Sequence, residues 1–184
     1  MVARDKLYTF EEFWEIAQLP ENEGRRLELE DGVIVEMASS TPLNTVTAMR
    51  IGYFFNAFVI PRDLGYVTGA DGGFKLAPKG ARQPDIGFIS KRRLPNLPKT
   101  FELAPDLAVE VVSEDEDIFK KAREYLNAGT RFVWAVYAEE HLVYVMTMGE
   151  KGAIMSLPFG EEDILDGGEV LPGFTLKVRD IFPE

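Results

Sequence analysis

The sequence lacks cysteine, contains one histidine and has no long apolar run. Without cysteine, the chain has no disulfide framework, cysteine–zinc site, iron–sulfur ligation or thiol nucleophile. The lone His141 excludes a histidine-rich metal site and any mechanism that needs two histidines. No stretch of 18 apolar residues is present, so we expect no membrane contact. Residues 1–15 are charged and lack the apolar segment of a secretory signal, which predicts a cytoplasmic protein.

The remaining composition is ordinary for a globular protein. Apolar residues make up 46% of the 184 residues and charged residues 28%. We find no internal repeat, no low-complexity segment and no Ser/Gly linker. The length and the absence of a linker predict one domain that spans residues 1–184.

Acidic residues outnumber basic ones, and the formal net charge is −11. This total argues against a nucleic-acid-binding protein. The charge is unevenly distributed, however, since residues 1–40 carry −6, residues 41–100 carry +6 and residues 101–184 carry −11. Two interpretations stay open. Either the basic segment forms a basic surface, or the charges of different segments intermix on the folded surface.

Hydrophobic periodicity predicts helices and hairpins in the first half of the chain. A helix over 9–18 begins with the capping-box pair Thr9 and Glu12, and Thr41 caps a longer helix over 42–60. Alternating apolar residues around Asp31-Gly32 predict a hairpin over 27–35. The glycines around residues 70–72 predict a second hairpin, over 65–77.

The second half of the chain predicts a strand–helix–strand unit. A short strand over 84–89 precedes a nearly apolar strand over 107–112, which the sequence places at the centre of a sheet. The spacing of Ser113 and Glu116 predicts a helix over 114–128, and a buried strand follows over 131–137. A crossover of this length implies a parallel strand pair. Later strands are predicted around 141–148, 154–157 and 174–178. The fold class is therefore α+β, or mixed α/β, with a mixed sheet.

Two carboxylates stand out against apolar strands. Glu110 lies inside Leu107–Val112, where a buried carboxylate needs either a salt bridge to an arginine or a metal ion. Asp85 lies at the start of the short strand over 84–89, although a Pro-Asp pair is also an ordinary turn signal. If the two strands pair, Asp85 and Glu110 could hold one hard cation such as Mg²⁺, with the backbone carbonyl of Val111 as a further ligand.

Lys121 lies at the border of the apolar stripe of the helix over 114–128. Its side chain could extend to water, as lysines at such borders commonly do. It could instead reach over the end of the sheet toward Glu110. His141 begins a late strand, and we expect a structural role for it.

These residues, in this order, resemble the Uma-two family of putative restriction endonucleases in the PD-(D/E)XK nuclease superfamily. The resemblance covers roughly residues 8–182. The segments that carry it are Leu27–Gly32, Pro84-Asp85, Ala104–Leu107, Val109–Ser113, Lys121–Gly129, Val133–Val136 and Leu171–Phe174. It implies a restriction-endonuclease-like αβββαβ core with an N-terminal helix and hairpin and C-terminal strands.

The resemblance also implies site residues. Asp85 and Glu110 correspond to metal ligands, and Glu28 is a further acidic group near the metal. The superfamily's lysine normally lies two residues after the strand carboxylate, where this chain has Val112. Lys121 would replace it from the helix. The family often has a histidine near the start of the long helix, where this chain has Asn44.

We therefore expect a Mg²⁺- or Mn²⁺-dependent DNA endonuclease with Asp85, Glu110 and Lys121 as catalytic residues. The resemblance and the charge pattern predict a set of phosphate-binding residues, which comprises Lys75, Lys79, Arg82, Lys91, Arg92 and Arg93. The alternative is a catalytically silent module of the same fold that acts by dimerisation or by binding a partner or nucleic acid. The net charge, Val112 and Asn44 favour that alternative. We expect a homodimer, for which the aromatic residues Phe54, Phe55 and Phe58 offer either a surface or core packing.

Overall fold

A computed structural model describes residues 6–114 and 116–183. Within these residues, the three α-helices precede groups of two, five and five strands. In chain order they are α1 Phe10–Ala17, β1 Leu27–Glu30, β2 Val33–Glu36, α2 Pro42–Val59, β3 Gly65–Thr68, β4 Phe74–Ala77, β5 Gly80–Arg82, β6 Ile86–Ser90, β7 Leu107–Val111, α3 Ile118–Asn127, β8 Phe132–Tyr137, β9 Leu142–Met148, β10 Ile154–Phe159, β11 Ile164–Gly167 and β12 Leu171–Lys177.

The largest sheet has six strands in the order β10-β9-β8-β7-β6-β3. β7 and β8 are parallel and are joined through α3, and the other neighbouring strands are antiparallel. Every residue of β7 is buried, as expected for a central strand covered on both faces. The predicted fold class, the mixed sheet and the parallel strand–helix–strand unit are therefore confirmed.

Two apolar layers cover this sheet. On one face, α2 packs with β12 around Trp134, and Phe55 meets both Trp134 and Phe174 edge to face. On the other face, α3 packs its apolar stripe, including Ala122 and Tyr125, onto the sheet. Phe55 is fully buried, so it belongs to the core and offers no dimer surface. The homodimer itself stays a prediction.

A second sheet of four strands, in the order β2-β1-β5-β4, carries the N-terminal part of the chain. The hairpin around Asp31-Gly32 is confirmed, and Asp31 and Gly32 adopt the positive φ angles that such a turn requires. The predicted capping box of α1 is present, because Thr9 and Glu12 exchange side-chain and backbone hydrogen bonds. Phe10 and Phe13 then pack the helix onto β1.

The predicted hairpin over 65–77 is wrong, because its two strands belong to different sheets. β3 pairs with β6, where a Cβ on Gly65 would lie 2.1 Å from the carbonyl oxygen of Ile89. β4 instead forms a hairpin with β5, with the fully buried Phe74 opposite Arg82. The αβββαβ core is therefore α2-β3-β6-β7-α3-β8, and β4 and β5 are an insertion that joins the second sheet.

The predicted start of the helix after β7 is also wrong. α3 begins at Ile118, because the Asp117 carboxylate caps it by accepting a hydrogen bond from the Lys120 N–H at 3.0 Å. Only part of the expected capping box forms, with the Ser113 N–H donating to Glu116 at 3.3 Å. Glu116 therefore lies before the helix, where its side chain can turn toward the sheet.

In the part of the chain that the structure describes, no helix is both long and apolar enough to cross a bilayer.

Candidate active site

Asp85 lies directly before β6, beside the end of β7. In the antiparallel pair, Ile86 is opposite Val109, which places Asp85 next to Glu110 and Val111. One Asp85 carboxylate oxygen (Oδ2) accepts a hydrogen bond from the Val111 N–H at 2.8 Å. The side chain is 13% exposed, so the carboxylate is largely but not completely removed from water. The strand pairing therefore brings Asp85 to the backbone around Glu110.

Glu110 is buried within β7 on the sheet face that α3 covers. Its Oε1 accepts a hydrogen bond from the Tyr125 hydroxyl at 2.7 Å, and its Oε2 lies 3.4 Å from the Lys121 Nζ. Both partners come from α3. The sequence left two options for this buried carboxylate, a salt bridge to an arginine or a metal ion. In the structure its partners are a lysine and a tyrosine instead of an arginine.

Lys121 is buried beneath the sheet edge, and its side chain is only 8% exposed. The ammonium contacts Glu110 and forms an ion pair with Glu116. Of the two alternatives for this lysine, the structure has the one in which it reaches Glu110. Because α3 begins only at Ile118, Glu116 lies in the loop before the helix. From that loop its carboxylate reaches the Lys121 ammonium.

Burial raises the pKa of both site carboxylates above their ordinary values. For Glu110, removal from water raises the pKa to about 8; the positive charge of Lys121 opposes this rise, and the negative charges of Asp85 and Glu116 add to it. For Asp85, burial also raises the pKa, against the Val111 hydrogen bond and the charge of Arg26. Burial therefore outweighs the nearby positive charges at both carboxyl groups and favours their protonated forms.

Lys121 shows the opposite balance. Burial alone would lower the pKa of its ammonium, but the surrounding carboxylates of Glu110, Glu28 and Glu116 outweigh burial and raise the pKa. The side chain consequently stays protonated at neutral pH. It can stabilise negative charge, and it is not suited to accept a proton as a general base.

Glu28, the further acidic group that the resemblance implies, is held by other partners. Its two oxygens accept hydrogen bonds from Arg82 Nη1 at 2.6 Å and from the Gln83 N–H at 2.9 Å. Among residues 6–114 and 116–183, no group of three or more His, Cys, Asp or Glu side chains has a metal-binding arrangement. Asp85, Glu110 and the nearby backbone oxygens are the donors that the sequence predicts for a cation, and Glu116 is a third carboxylate close by.

The predicted phosphate-binding set does not form one surface. The prediction is wrong for Arg82, whose side chain is 1% exposed and is held by Glu28, Glu30 and Glu124. Three more of the set form ion pairs with acidic residues: Lys75 with Glu11 and Arg93 with Asp106, both from the flanking segments, and Lys91 with Asp63 from the basic segment itself. Lys79 and Arg92 are exposed. The interpretation in which charges of different segments intermix is therefore closer to the structure.

Three residues at the site were not predicted from the sequence. Tyr125 donates to Glu110, Glu116 binds Lys121, and Arg26 Nη2 lies 3.7 Å from Asp85 Oδ1. Tyr125 belongs to the apolar stripe of α3, and the sequence places Glu116 at capping-box spacing from Ser113. These patterns indicate where the two residues lie but not that they contact Glu110 and Lys121. Arg26 has no local signal, because its partner is 59 residues away in the chain.

Asn44 stands where the family often has a histidine, and His141 is the single histidine of the chain. The two residues lie in different settings. Asn44 is buried near the start of α2, and its Nδ2 lies 3.5 Å from the Val112 carbonyl oxygen, next to the site. His141 stacks on Phe182 and pairs with Glu161. The contacts of His141 agree with the structural role that the sequence predicts.

Comparison with known proteins identifies the family of this chain. Residues 10–179 match the family Uma2, described as "Putative restriction endonuclease". No curated protein matches the chain. A solved structure described as a putative nuclease belonging to DUF820, from Anabaena variabilis, is similar with a TM-score of 0.80 at 20% identity, over 95% of this chain and 97% of that one. That similarity shows the shared fold. Because the family match spans most of the sequence, the chain belongs to the Uma2 family.

Proposed function

We propose that this chain is a Mg²⁺- or Mn²⁺-dependent DNA endonuclease. The chain belongs to the Uma2 family, described as "Putative restriction endonuclease", and it shares the fold of a protein described as a putative nuclease. Both similarities support the proposal. In the proposal, Asp85, Glu110 and the backbone carbonyl of Val111 hold the cation, and Lys121 assists the reaction. The observation that carries it is the cluster itself, in which carboxylates from two neighbouring strands and an ammonium from α3 meet at one end of the sheet.

The donors present suit a hard divalent cation. Carboxylate and carbonyl oxygens are the ligands that Mg²⁺ and Mn²⁺ prefer, and the chain has no cysteine that would favour a softer metal. Burial raises the pKa of Glu110 to about 8, and a bound cation would favour its ionised form. A bound cation would polarise a phosphoryl oxygen and lower the pKa of a coordinated water.

The residues of the chain would then position and stabilise the reacting groups. Tyr125 holds one Glu110 oxygen at 2.7 Å, which fixes the orientation of that carboxylate. The Val111 N–H does the same for Asp85. Lys121, with its raised pKa, keeps a positive charge that can stabilise the negative charge developing on the phosphoryl group.

One observation favours the alternative of a catalytically silent module. The Lys121 ammonium already forms an ion pair with Glu116, so it is not free to meet a phosphate in the arrangement shown. An active enzyme would need that ion pair to open or to share the ammonium. A silent module would keep the ion pair and bind nucleic acid or a partner without cleavage.

A nicking assay separates the two functions. Supercoiled DNA incubated with the wild type and Mg²⁺ or Mn²⁺ should become nicked, and chelation should stop the reaction. Asp85→Ala should leave the DNA intact, whereas Glu15→Ala, on the exposed face of α1, should match the wild type. Nicking by Asp85→Ala at the wild-type rate would show that this site does not perform the reaction. DNA binding without nicking would favour the silent module.

A further inference from the structure

We propose that Arg26 binds a phosphate of the nucleic-acid substrate at the mouth of this site. The inference rests on the proposed function and adds a residue to it. Arg26 lies immediately before β1, outside the αβββαβ core, and no sequence pattern singled it out. Its guanidinium nevertheless lies next to Asp85, 3.7 Å from Oδ1.

The guanidinium is loosely held by its protein partners. Nη2 donates to the Gln83 carbonyl oxygen at 3.4 Å, and Nη1 lies 3.5 Å from the Ser40 hydroxyl. Nε is buried and has no hydrogen-bond partner in the structure. Well-formed charged hydrogen bonds are about 2.7–2.9 Å long. Each of these contacts is longer, so the guanidinium retains donor capacity for another group.

The other arginine near the site differs, because its Nε and Nη1 are closely bound and its one unpaired nitrogen, Nη2, is buried. Arg82 is almost completely buried, and its Nε and Nη1 contact three carboxylates at 2.6–2.7 Å. Arg26 is 25% exposed and can meet a ligand from solvent. Lys121 is also cationic but lies deeper and is already paired with Glu116. Arg26 is therefore the cation at this site that is both accessible and weakly engaged.

The chemistry of arginine fits a phosphodiester. A guanidinium presents parallel N–H donors in a planar fork that matches two phosphate oxygens, which an ammonium cannot do. Its location beside Asp85 places those donors next to the proposed cation ligands. If Asp85 coordinates a cation, the cation neutralises the carboxylate nearest to Arg26. A phosphate then becomes the best available partner for the guanidinium. Binding of cation and nucleic acid should then favour each other.

Binding of labelled DNA measured by fluorescence anisotropy tests the inference. Ca²⁺ replaces Mg²⁺ to limit cleavage, and the dissociation constant is followed over a range of NaCl concentrations. Arg26→Gln should weaken binding roughly tenfold and reduce the salt slope by about one phosphate contact. Arg26→Lys should keep the salt slope and bind with intermediate affinity, because it retains charge without the fork.

The neighbouring Arg25 provides a matched control. It is exposed and held by Glu36 at 2.5 and 3.0 Å and by Asn22 at 2.7 Å, so Arg25→Gln should retain wild-type affinity and salt slope. Equal affinity and slope for Arg26→Gln and the wild type would overturn the role of Arg26, while wild-type nicking would leave the proposed function standing. A wild type that neither binds nor nicks DNA would overturn both.

If Arg26→Gln fails to fold, as shown by loss of cooperative unfolding, Arg26→Lys carries the test alone. We then expect Arg26→Lys to bind DNA more weakly than the wild type and to cleave more slowly at saturating DNA. The reason is that a single ammonium contacts the phosphate less specifically than a guanidinium. Wild-type affinity and cleavage in Arg26→Lys would then overturn the proposal, because a bidentate contact cannot be replaced by lysine without loss.

Discussion

Helix α3 contributes to two charged clusters that have the same formal composition but differ in how closely their members touch. The arginine cluster contains Arg82 and Lys120 with Glu28, Glu30 and Glu124. The carboxylate cluster contains Lys121 and Arg26 with Asp85, Glu110 and Glu116. Each has three carboxylates and two cations. The number of charges therefore does not distinguish them.

The contact distances do distinguish them. In the arginine cluster, all four ion pairs are 2.6 or 2.7 Å long. In the carboxylate cluster, Lys121 is close to Glu116 but lies 3.4 Å from Glu110, and Arg26 lies 3.7 Å from Asp85. The pKa values follow the contacts. Although burial opposes the change, Lys120 and Arg82 lower the pKa of Glu30, whereas burial raises the pKa of Asp85 and Glu110.

This difference indicates separate roles. A cluster with close contacts has little to gain from an additional ion and holds the second sheet against α3. In the carboxylate cluster, Asp85 and Glu110 have no close cation, so under the proposed function these two carboxylates are the ones that would bind a further cation. The predictions that follow ask whether the two clusters can be separated by experiment.

The largest expected effect on stability lies in the arginine cluster. Arg82→Met should lower the free energy of unfolding by about 3–5 kcal/mol, because it leaves buried Glu28 without its partner. Urea unfolding followed by circular dichroism measures this change. Arg25→Met, at an exposed ion pair, should cost less than about 1 kcal/mol. Similar costs for both variants would contradict a structural role for the arginine cluster.

Lys121→Met should reduce cleavage by about 10²–10³-fold, the usual consequence of removing one group that stabilises developing charge. The variant should still bind the divalent cation, since the proposed ligands remain. Lys120→Met is the matched control: its ammonium binds Glu30 at 2.6 Å in the arginine cluster, and we expect less than threefold loss of cleavage. The account would be contradicted by equal losses in the two lysine variants.

A smaller effect concerns pH in the absence of divalent cations. The pKa of Glu110 is about 8 in the folded chain and near the ordinary 4.5 when unfolded, so the folded state binds an extra proton between these values. Stability should therefore fall as pH rises from about 5 to 8. Thermal unfolding in a chelator should show the decline, and Glu110→Gln should largely remove it. An unchanged decline in Glu110→Gln would assign it to other groups.

Much of the fold was predictable because local patterns determined it. The apolar run around Glu110 predicted a central strand, and Asp31-Gly32 predicted its hairpin correctly. The hairpin over 65–77 was wrong because glycine-rich turns show where a chain bends and carry no information on which strand pairs with which. The pairing of β3 with β6 depends on contacts between residues about 20 positions apart.

The site was predictable in part for the same reason. Asp85, Glu110 and Lys121 stand out in the sequence because each interrupts an apolar pattern or borders one. In the structure Asp85 contacts the Val111 N–H and Lys121 contacts Glu110, and their catalytic role stays a prediction. The basic residues were misassigned because charge summed along the chain ignores partners from distant segments, such as Glu28 for Arg82. Arg26 was missed for that reason too, since its carboxylate partner lies in another sheet.

The central claim is that Asp85 and Glu110 form a site for one divalent cation. Titration calorimetry with Mn²⁺ on the wild type, Glu110→Gln and Glu28→Gln, each verified as folded, tests it most directly. We expect the wild type to bind one equivalent of Mn²⁺. Glu28→Gln should do the same, because Glu28 is already bound to Arg82. Glu110→Gln should bind Mn²⁺ at least tenfold more weakly. Equal Mn²⁺ affinity in the wild type and Glu110→Gln would contradict the claim.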